Sequence, residues 1–206
     1  MPRAPINPAA VSAMTRTASA RRSYNRTNRP ALREVDAVML LTRDHDTIRR
    51  LFRDYESLIE QQGDDGTKAD IVDQICGELS LHAQIEEEVF FPAIRAITGS
   101  TDLTGHMLSD HTCANELIAQ LDELEPSDAR FDTLVAALCA HVVPHMDEEQ
   151  AGIFLRVRLA ELDTAALGHQ IALRQKAMRE DVTMIGLPRA NAGAVTWPMA
   201  CHVVTA

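Results

Sequence analysis

The sequence is poor in residues that break a chain or cross-link it. It has only nine glycines, nine prolines and four cysteines in 206 residues, and aromatic residues make up 4%. Scarce turn residues favour long helices, so we expect an all-α protein. No two cysteines form a C-x-x-C pair, and Cys76, Cys113 and Cys139 fall in helical patterns, where a free thiol acts as a small hydrophobe. The cysteines are therefore predicted to be reduced and the protein to be cytoplasmic.

The chain also lacks a long apolar run, and its first 33 residues lack acidic side chains. No stretch of about 18 apolar residues occurs, so neither a transmembrane helix nor a membrane partner is expected. Residues 1–33 contain seven arginines, so the rest of the chain is more acidic than the overall net charge of −10. An acidic body argues against nucleic-acid binding. We expect residues 1–31 to be a disordered or targeting tail and residues 182–206 to be a second tail.

Apolar residues recur at alternating steps of three and four, which predicts helices with one buried face. The predicted long helices cover residues 32–62, 67–97, 102–124 and 128–162, and a shorter amphipathic helix covers 163–181. Pro92 and Pro144 are expected to bend the second and fourth helices. Long amphipathic helices with short connections predict an antiparallel up-down-up-down four-helix bundle, a single domain over residues 32–181.

Each long helix carries a histidine on its apolar seam, and two helices add a glutamate one turn later. The six residues are His45, His82, Glu86, His111, His145 and Glu149. Positions i and i+4 share one helix face, so both glutamates should be buried with their histidines. A buried carboxylate is costly unless it is paired or binds metal, and neutral imidazoles supply no positive charge. A metal centre is therefore predicted, and a buried polar network without metal is the alternative.

The ligand types narrow the choice of metal. Imidazole and carboxylate without thiolate suit iron, with manganese and zinc as competitors. The motifs H-E-x-x-H and E-x-x-H are both absent, which excludes the ligand pattern of ferritin-like di-iron bundles. His141 lies one turn before His145 and is a further candidate ligand. Pro144 lies between the two histidines and is expected to affect the direction of the His141 side chain.

These motifs resemble the hemerythrin HHE cation-binding domain over residues 34–162. The resemblance implies a hemerythrin-like bundle with an oxo- or hydroxo-bridged pair of iron ions, held by the six residues above with Glu86 and Glu149 as bridges. Oxygen-carrying members have a second histidine on the third helix, where this sequence has Met107 or Asn115. Their fourth-helix carboxylate follows its histidine by five residues, a place that Gln150 occupies here.

This histidine-poor ligand set favours a reaction with dioxygen or peroxide, oxidase-like or catalase-like, over reversible carriage. The alternatives are reversible binding, sensing or storage of oxygen, nitric oxide or iron without turnover, and, more remotely, a biosynthetic di-iron oxygenase. Bulky apolar residues near the ligands, such as Phe52 and Ile118, predict a dry core that admits small molecules only. The sequence carries no signal for oligomeric state.

Overall fold

The computed structural model describes residues 35–99, 102–160 and 162–185, and in these residues there are helices and no strands. The elements are α1 (Ala37–Glu60), α2 (Asp65–Ile85), a π-helical turn (Glu86–Phe90), α3 (Phe91–Thr98), α4 (Asp102–Asp122), α5 (Phe131–Ala151), α6 (Ile153–Leu159) and α7 (Thr164–Ile185). The all-α prediction is confirmed. The predicted N-terminal tail and most of the predicted C-terminal tail lie outside the described residues.

Local signals set several helix ends. Asp36 caps α1 by accepting a hydrogen bond from the Met39 N–H at 3.1 Å, and Asp64 caps α2 in the same way from the Thr67 N–H at 2.9 Å. Such caps satisfy amide groups that the first helical turn leaves without partners. Gly99 ends α3 with a φ of 64°, a left-handed conformation that glycine adopts without a steric penalty.

The predicted second helix is interrupted rather than simply bent. Between α2 and α3 the Phe91 N–H bonds to the Glu86 carbonyl, five residues back, which widens one turn. Pro92 follows this turn and has no N–H of its own to continue the α-helical ladder. The extra residue turns both Phe90 and Phe91 into the core, where each is 0% exposed.

The fourth predicted helix is interrupted at Gly152, not at Pro144. Helix α5 continues through Pro144, whose ring lies on the exposed side, and ends at Ala151. Gly152 has φ −103° and ψ −83°, outside the helical region, and α6 begins directly after it. A proline inside a helix removes one backbone hydrogen bond and crowds the preceding turn, yet α5 continues past Pro144 to Ala151.

The buried residues form two apolar clusters with a polar layer between them. The first cluster includes Ile48, Phe52, Ile75, Leu79, Ile118, Leu138 and Met146. The second cluster includes Val38, Leu41, Ile85, Phe90, Met107, Ile153 and Ile171. On α1, His45 falls between the parts of the helix that feed the two clusters, and His82 on α2 and His111 on α4 fall in corresponding places. The helical seams thus place the polar side chains at one level of the core.

The fifth long helix, α7, extends the predicted 163–181 segment and packs on α1, α2 and the π-helical turn. Arg174 forms a two-pronged ion pair with Glu88 of the π-helical turn, and Arg179 forms another with Glu78 of α2. A Cβ atom built on Gly168 would collide with the backbone carbonyl of Val35. Glycine at this position therefore lets α7 approach the start of α1 closely.

The structure bears on two sequence predictions, the reduced state of the cysteines and the lack of a membrane-spanning helix. Cys76 and Cys139 are free, as predicted, whereas Cys113 is disulfide-bonded. The prediction of reduced cysteines is therefore wrong for Cys113. Among the helices of the described segments, none combines the length and the apolar character that a bilayer crossing requires.

Candidate metal centre

His45 of α1 and His82 of α2 meet in the middle of the polar layer. Their Nε2 atoms lie 3.0 Å apart, and both side chains are at most 4% exposed. Glu149 Oε2 lies 3.3 Å from His45 Nε2, and Glu86 Oε1 lies 3.5 Å from His82 Nε2. One ligand atom from each of these four residues falls within 4.8 Å of all the others, so together they could hold a metal ion.

A second group forms beside the first from Glu86, His111 and His145. Glu86 Oε2 lies 3.4 Å from His111 Nε2, while its other oxygen faces His82. Glu149 Oε2 also lies 3.9 Å from His145 Nε2. Both carboxylates therefore lie between imidazoles of the two groups, and Glu86 directs one oxygen at each.

Apart from the Nε2 atoms of His45 and His82, which contact each other, the inner atoms of this layer lack hydrogen-bond partners among the described residues. Both oxygens of Glu86 and of Glu149 are buried and unpartnered, as are the Nε2 atoms of His111 and His145. Buried polar groups are normally hydrogen-bonded, because leaving a neutral one unpaired costs about 1–3 kcal/mol and a charged one more. So many lone pairs aimed at one place fit a cation bound among them. The residues present therefore suit the metal centre that the sequence predicts.

The outward-facing ring nitrogens of His82, His111 and His145 have acidic neighbours. Glu87 Oε1 lies 2.9 Å from His111 Nδ1, and Asp110 Oδ2 lies 3.2 Å from His145 Nδ1. Asp44 Oδ2 is further from His82 Nδ1, at 3.9 Å, which is an ion-pair distance rather than a hydrogen bond. A carboxylate at Nδ1 holds the proton there and leaves the Nε2 lone pair free for a metal. The helical seams of the sequence do not single out Asp44 or Asp110.

Burial and neighbouring charges shift the pKa values of several side chains in this layer. Burial and the neighbouring Glu149 raise the pKa of Glu86 to about 7. Burial lowers the pKa of His145 to about 4. For His111, burial opposes the charged form, but the neighbouring carboxylates of Glu86 and Glu87 prevail and raise the pKa to about 10. A proton on His111 thus offsets part of the carboxylate charge, a role that a metal ion would take over when it binds deprotonated ligands.

His141 does not join either group. Its Nε2 atom lies 2.9 Å from the backbone carbonyl of Asp110, so the ring nitrogen is used in a contact between α5 and α4. The other six predicted ligands are all brought together. His141 instead lies in the wall of a small cavity beside His111 and His145. The turn of α5 that separates His141 from His145 directs the two rings to different partners.

The two halves of the chain repeat one arrangement. An Asp-His dipeptide, Asp44-His45 or Asp110-His111, precedes a helix with His-x-x-x-Glu, and each aspartate faces the histidine of that next helix. A phenylalanine lies five residues after each glutamate. Phe91 stacks on His111 at a centroid distance of 5.7 Å, and Phe154 stacks on His45 at 5.4 Å. The adjacency of aspartate to each first histidine was the sequence signal that could have identified the outer acidic contacts.

Comparison of the chain with known proteins identifies its family. The family model described as the hemerythrin HHE cation binding domain matches residues 36–157. The chain belongs to this family. The hemerythrin match contains all six residues of the two groups and ends within α6, before α7 begins.

A solved structure and a sequence relative extend the comparison. The crystal structure of a hemerythrin HHE cation binding domain-containing protein from Mycobacterium kansasii aligns with a TM-score of 0.61 at 18% identity. The alignment covers 76% of this chain and 97% of that one, and it shows a shared fold. A protein from Nostoc sp. described as a DNA nickase is 28% identical over 115 residues. The shared segment is 56% of this chain and only 31% of that protein.

Proposed function

We propose that this chain is a di-iron protein whose centre reacts with dioxygen or peroxide, in an oxidase-like or catalase-like manner. The observation that carries the proposal is the pair of buried ligand groups that share Glu86. In this proposal His45 and His82 hold one ion, His111 and His145 hold the other, and the two glutamates serve both. Imidazole and carboxylate without thiolate suit iron, which would supply the redox chemistry.

The chain's own residues would keep the ligands ready and the surroundings dry. Glu87 and Asp110 hold protons at the Nδ1 atoms of His111 and His145, which directs the Nε2 atoms inward. Phe91 and Phe154 cover the faces of two ligand rings and are at most 2% exposed. Excluding water in this way strengthens electrostatic interactions within the site.

The size of the adjoining cavity favours a small reactant. A cavity of about 20 Å³ lies beside His111 and His145, with Asn115, Ile118 and Met146 among its walls. A single water molecule requires about 10–15 Å³ on the same measure. The cavity therefore suits a molecule of a few atoms, such as dioxygen or peroxide, better than the organic substrate of a biosynthetic oxygenase.

The ligand set favours reaction over reversible binding. The two groups contain four imidazoles and two carboxylates. Met107 and Asn115, one turn before and one turn after His111 on α4, add no imidazole. Anionic carboxylates stabilise higher oxidation states of iron, which favours oxidation by a bound oxidant. Reversible binding of oxygen or nitric oxide remains the second candidate, because the cavity accommodates such ligands equally well. The nickase activity is not extended to this chain, since the net charge of −10 opposes contact with phosphates.

The test is consumption of oxidant by the iron-loaded protein. We expect steady peroxide or dioxygen consumption that Glu86→Ala abolishes, because Glu86 is the side chain common to both groups. The matched control is Glu148→Ala on α5, because Glu148 is exposed, lies next to Glu149 in the sequence and belongs to neither group. A reversible spectral change without turnover would support the second candidate. The absence of turnover with either oxidant would contradict the proposed activity.

We also propose that the four ligand-bearing helices alternate in direction. Support comes from the order in which each helix contributes to the two apolar clusters. The chain runs from the second cluster to the first along α1 and α4, and from the first to the second along α2 and from α5 into α6. This order is what an up-down-up-down bundle requires, with α7 as an additional helix packed against it.

A further inference from the structure

The aspartates that face His82 and His145 are held by different helices. Asp110 Oδ2 lies 2.9 Å from the Nδ1 atom of His106, which sits one turn earlier on the same helix. The corresponding position one turn before Asp44 is Leu40, which cannot hydrogen-bond. Instead, Gln175 of α7 donates its Nε2–H to Asp44 Oδ2 at 2.8 Å. Helix α7 thus provides the side chain that contacts Asp44 in the first half of the repeat, whereas α4 provides its own contact to Asp110 in the second half.

A second contact links α7 to the segment that carries Glu86. Arg174 donates from Nε to Glu88 Oε2 at 2.7 Å and from Nη2 to Glu88 Oε1 at 3.2 Å. Glu88 lies in the π-helical turn, two residues after Glu86. Adjacent side chains of α7 therefore hold both the carboxylate beside His82 and the turn that presents Glu86. Helix α7 lies beyond the segment that matches the family model, so this arrangement belongs to the additional part of the chain.

We propose that α7 positions the metal ligands of the first half, and that Gln175 is a positioning residue that acts through Asp44 on His82. Gln175 fixes the Asp44 carboxylate, and the fixed carboxylate orients the His82 ring and keeps its Nε2 atom directed inward. Asp44 Oδ2 lies 3.9 Å from His82 Nδ1, and a carboxylate placed beside the outer nitrogen of a ligating histidine orients the ring and makes it more basic. This inference rests on the proposed function, because it takes His82 to be a metal ligand.

The decisive comparison replaces two neighbouring side chains of α7 by methionine. Gln175→Met keeps the length of the side chain and removes its donor. Lys176→Met makes the same replacement one residue on, where the lysine side chain is 72% exposed and pairs with Glu180 of the same helix. The measurement is the affinity of the full-length protein for ferrous iron under anaerobic conditions, by competition with a chromogenic chelator. The visible spectrum after oxidation is the second readout.

We expect Gln175→Met to weaken iron binding by about 3–10-fold and to change the spectrum, while Lys176→Met leaves both unchanged. Loss of an outer partner typically costs about 10–100-fold in metal affinity, and Gln175 acts one contact further out. Asp44→Asn should show a loss in that range. The double variant Asp44→Asn with Gln175→Met should bind no more weakly than Asp44→Asn alone, since a residue that acts only through Asp44 has nothing left to act on.

Two results would overturn the positioning role. One is iron affinity and a spectrum for Gln175→Met that equal those of the unmodified chain. The other is a double variant whose loss is the product of the two single losses. Gln175→Ala carries the same expectations if the methionine disturbs the packing of α7, and urea unfolding of each metal-free variant checks that it is folded. Failure of the unmodified chain to bind iron would instead contradict the proposed function.

Discussion

At the scale of single residues, Glu86 and Glu149 are the least favourable choices for stability alone. Each is 0% exposed, and none of their four oxygen atoms has a hydrogen-bond partner among the described residues. Burying a charge in this way costs several kcal/mol unless a partner offsets it. The fold therefore accepts a cost at these positions, and a bound cation is what would recover it.

Replacing Glu149 by glutamine separates metal binding from stability. Glu149→Gln removes the charge that faces both groups, so the metal content per chain should fall by at least half. The metal-free protein should be equally stable or more stable by about 1 kcal/mol, because a buried charge is replaced by a neutral amide. Metal analysis and urea unfolding measure the two quantities. The control is Glu148→Gln, the exposed neighbour, which should change neither quantity. Full metal content in Glu149→Gln would contradict the assignment of this ligand.

Six of the seven residues predicted as ligands come together in the structure, because helical periodicity alone places them on the core-facing seams. A histidine and a glutamate four residues apart on an apolar seam must both face the core. The outer partners escaped this argument, because Asp44 and Asp110 lie one residue off the seam, rotated by about 100° on their helices. Their role depends on which helix lies alongside, and the seam pattern does not reveal that. His141 shares the seam, yet a backbone carbonyl of α4 takes up its ring nitrogen.

At the scale of elements, the positions of the helices were predicted better than their interruptions. The predicted ends of α1 and α4 lie within about five residues of the observed ones. The π-helical turn at Glu86 and the break at Gly152 both fall just after a metal-ligand spacing, and neither was predicted. Each depends on which hydrogen bonds the packed chain can form, and proline alone was the weaker guide to the second break. Both interruptions are followed by buried phenylalanines that reach the ligand rings.

The packing of α7 against α1 can be tested at Gly168. A methyl group there would collide with the backbone carbonyl of Val35, so Gly168→Ala should lower the free energy of unfolding by about 1–3 kcal/mol. Gly105→Ala is the matched control on α4, where nothing lies within 4 Å of the added Cβ atom. That replacement should raise the free energy of unfolding by about 0.5–1 kcal/mol, through helix propensity alone. Urea unfolding of both metal-free variants gives the comparison. Equal effects from the two replacements would contradict the close approach of α7.

At the scale of the whole molecule, two apolar clusters enclose one layer of histidine and glutamate. Residues such as Ile48 and Leu138 pack on one side of the layer, and Leu41 and Ile153 pack on the other. Apolar burial on both sides stabilises the helices. Within each of the two groups, the candidate ligand atoms lie within 4.8 Å of one another. The sequence predicted the fold class and the layer, since both follow from seams. It did not predict that α7 would contact the segments that carry three of the predicted ligands.

The most direct test of the account is metal analysis of aerobically purified full-length protein, combined with its visible spectrum. The two ligand groups joined by Glu86 predict two iron ions per chain and the absorption bands of a bridged iron pair. A chain that contains one zinc ion, or that takes up no metal when iron is supplied, would contradict the di-iron centre.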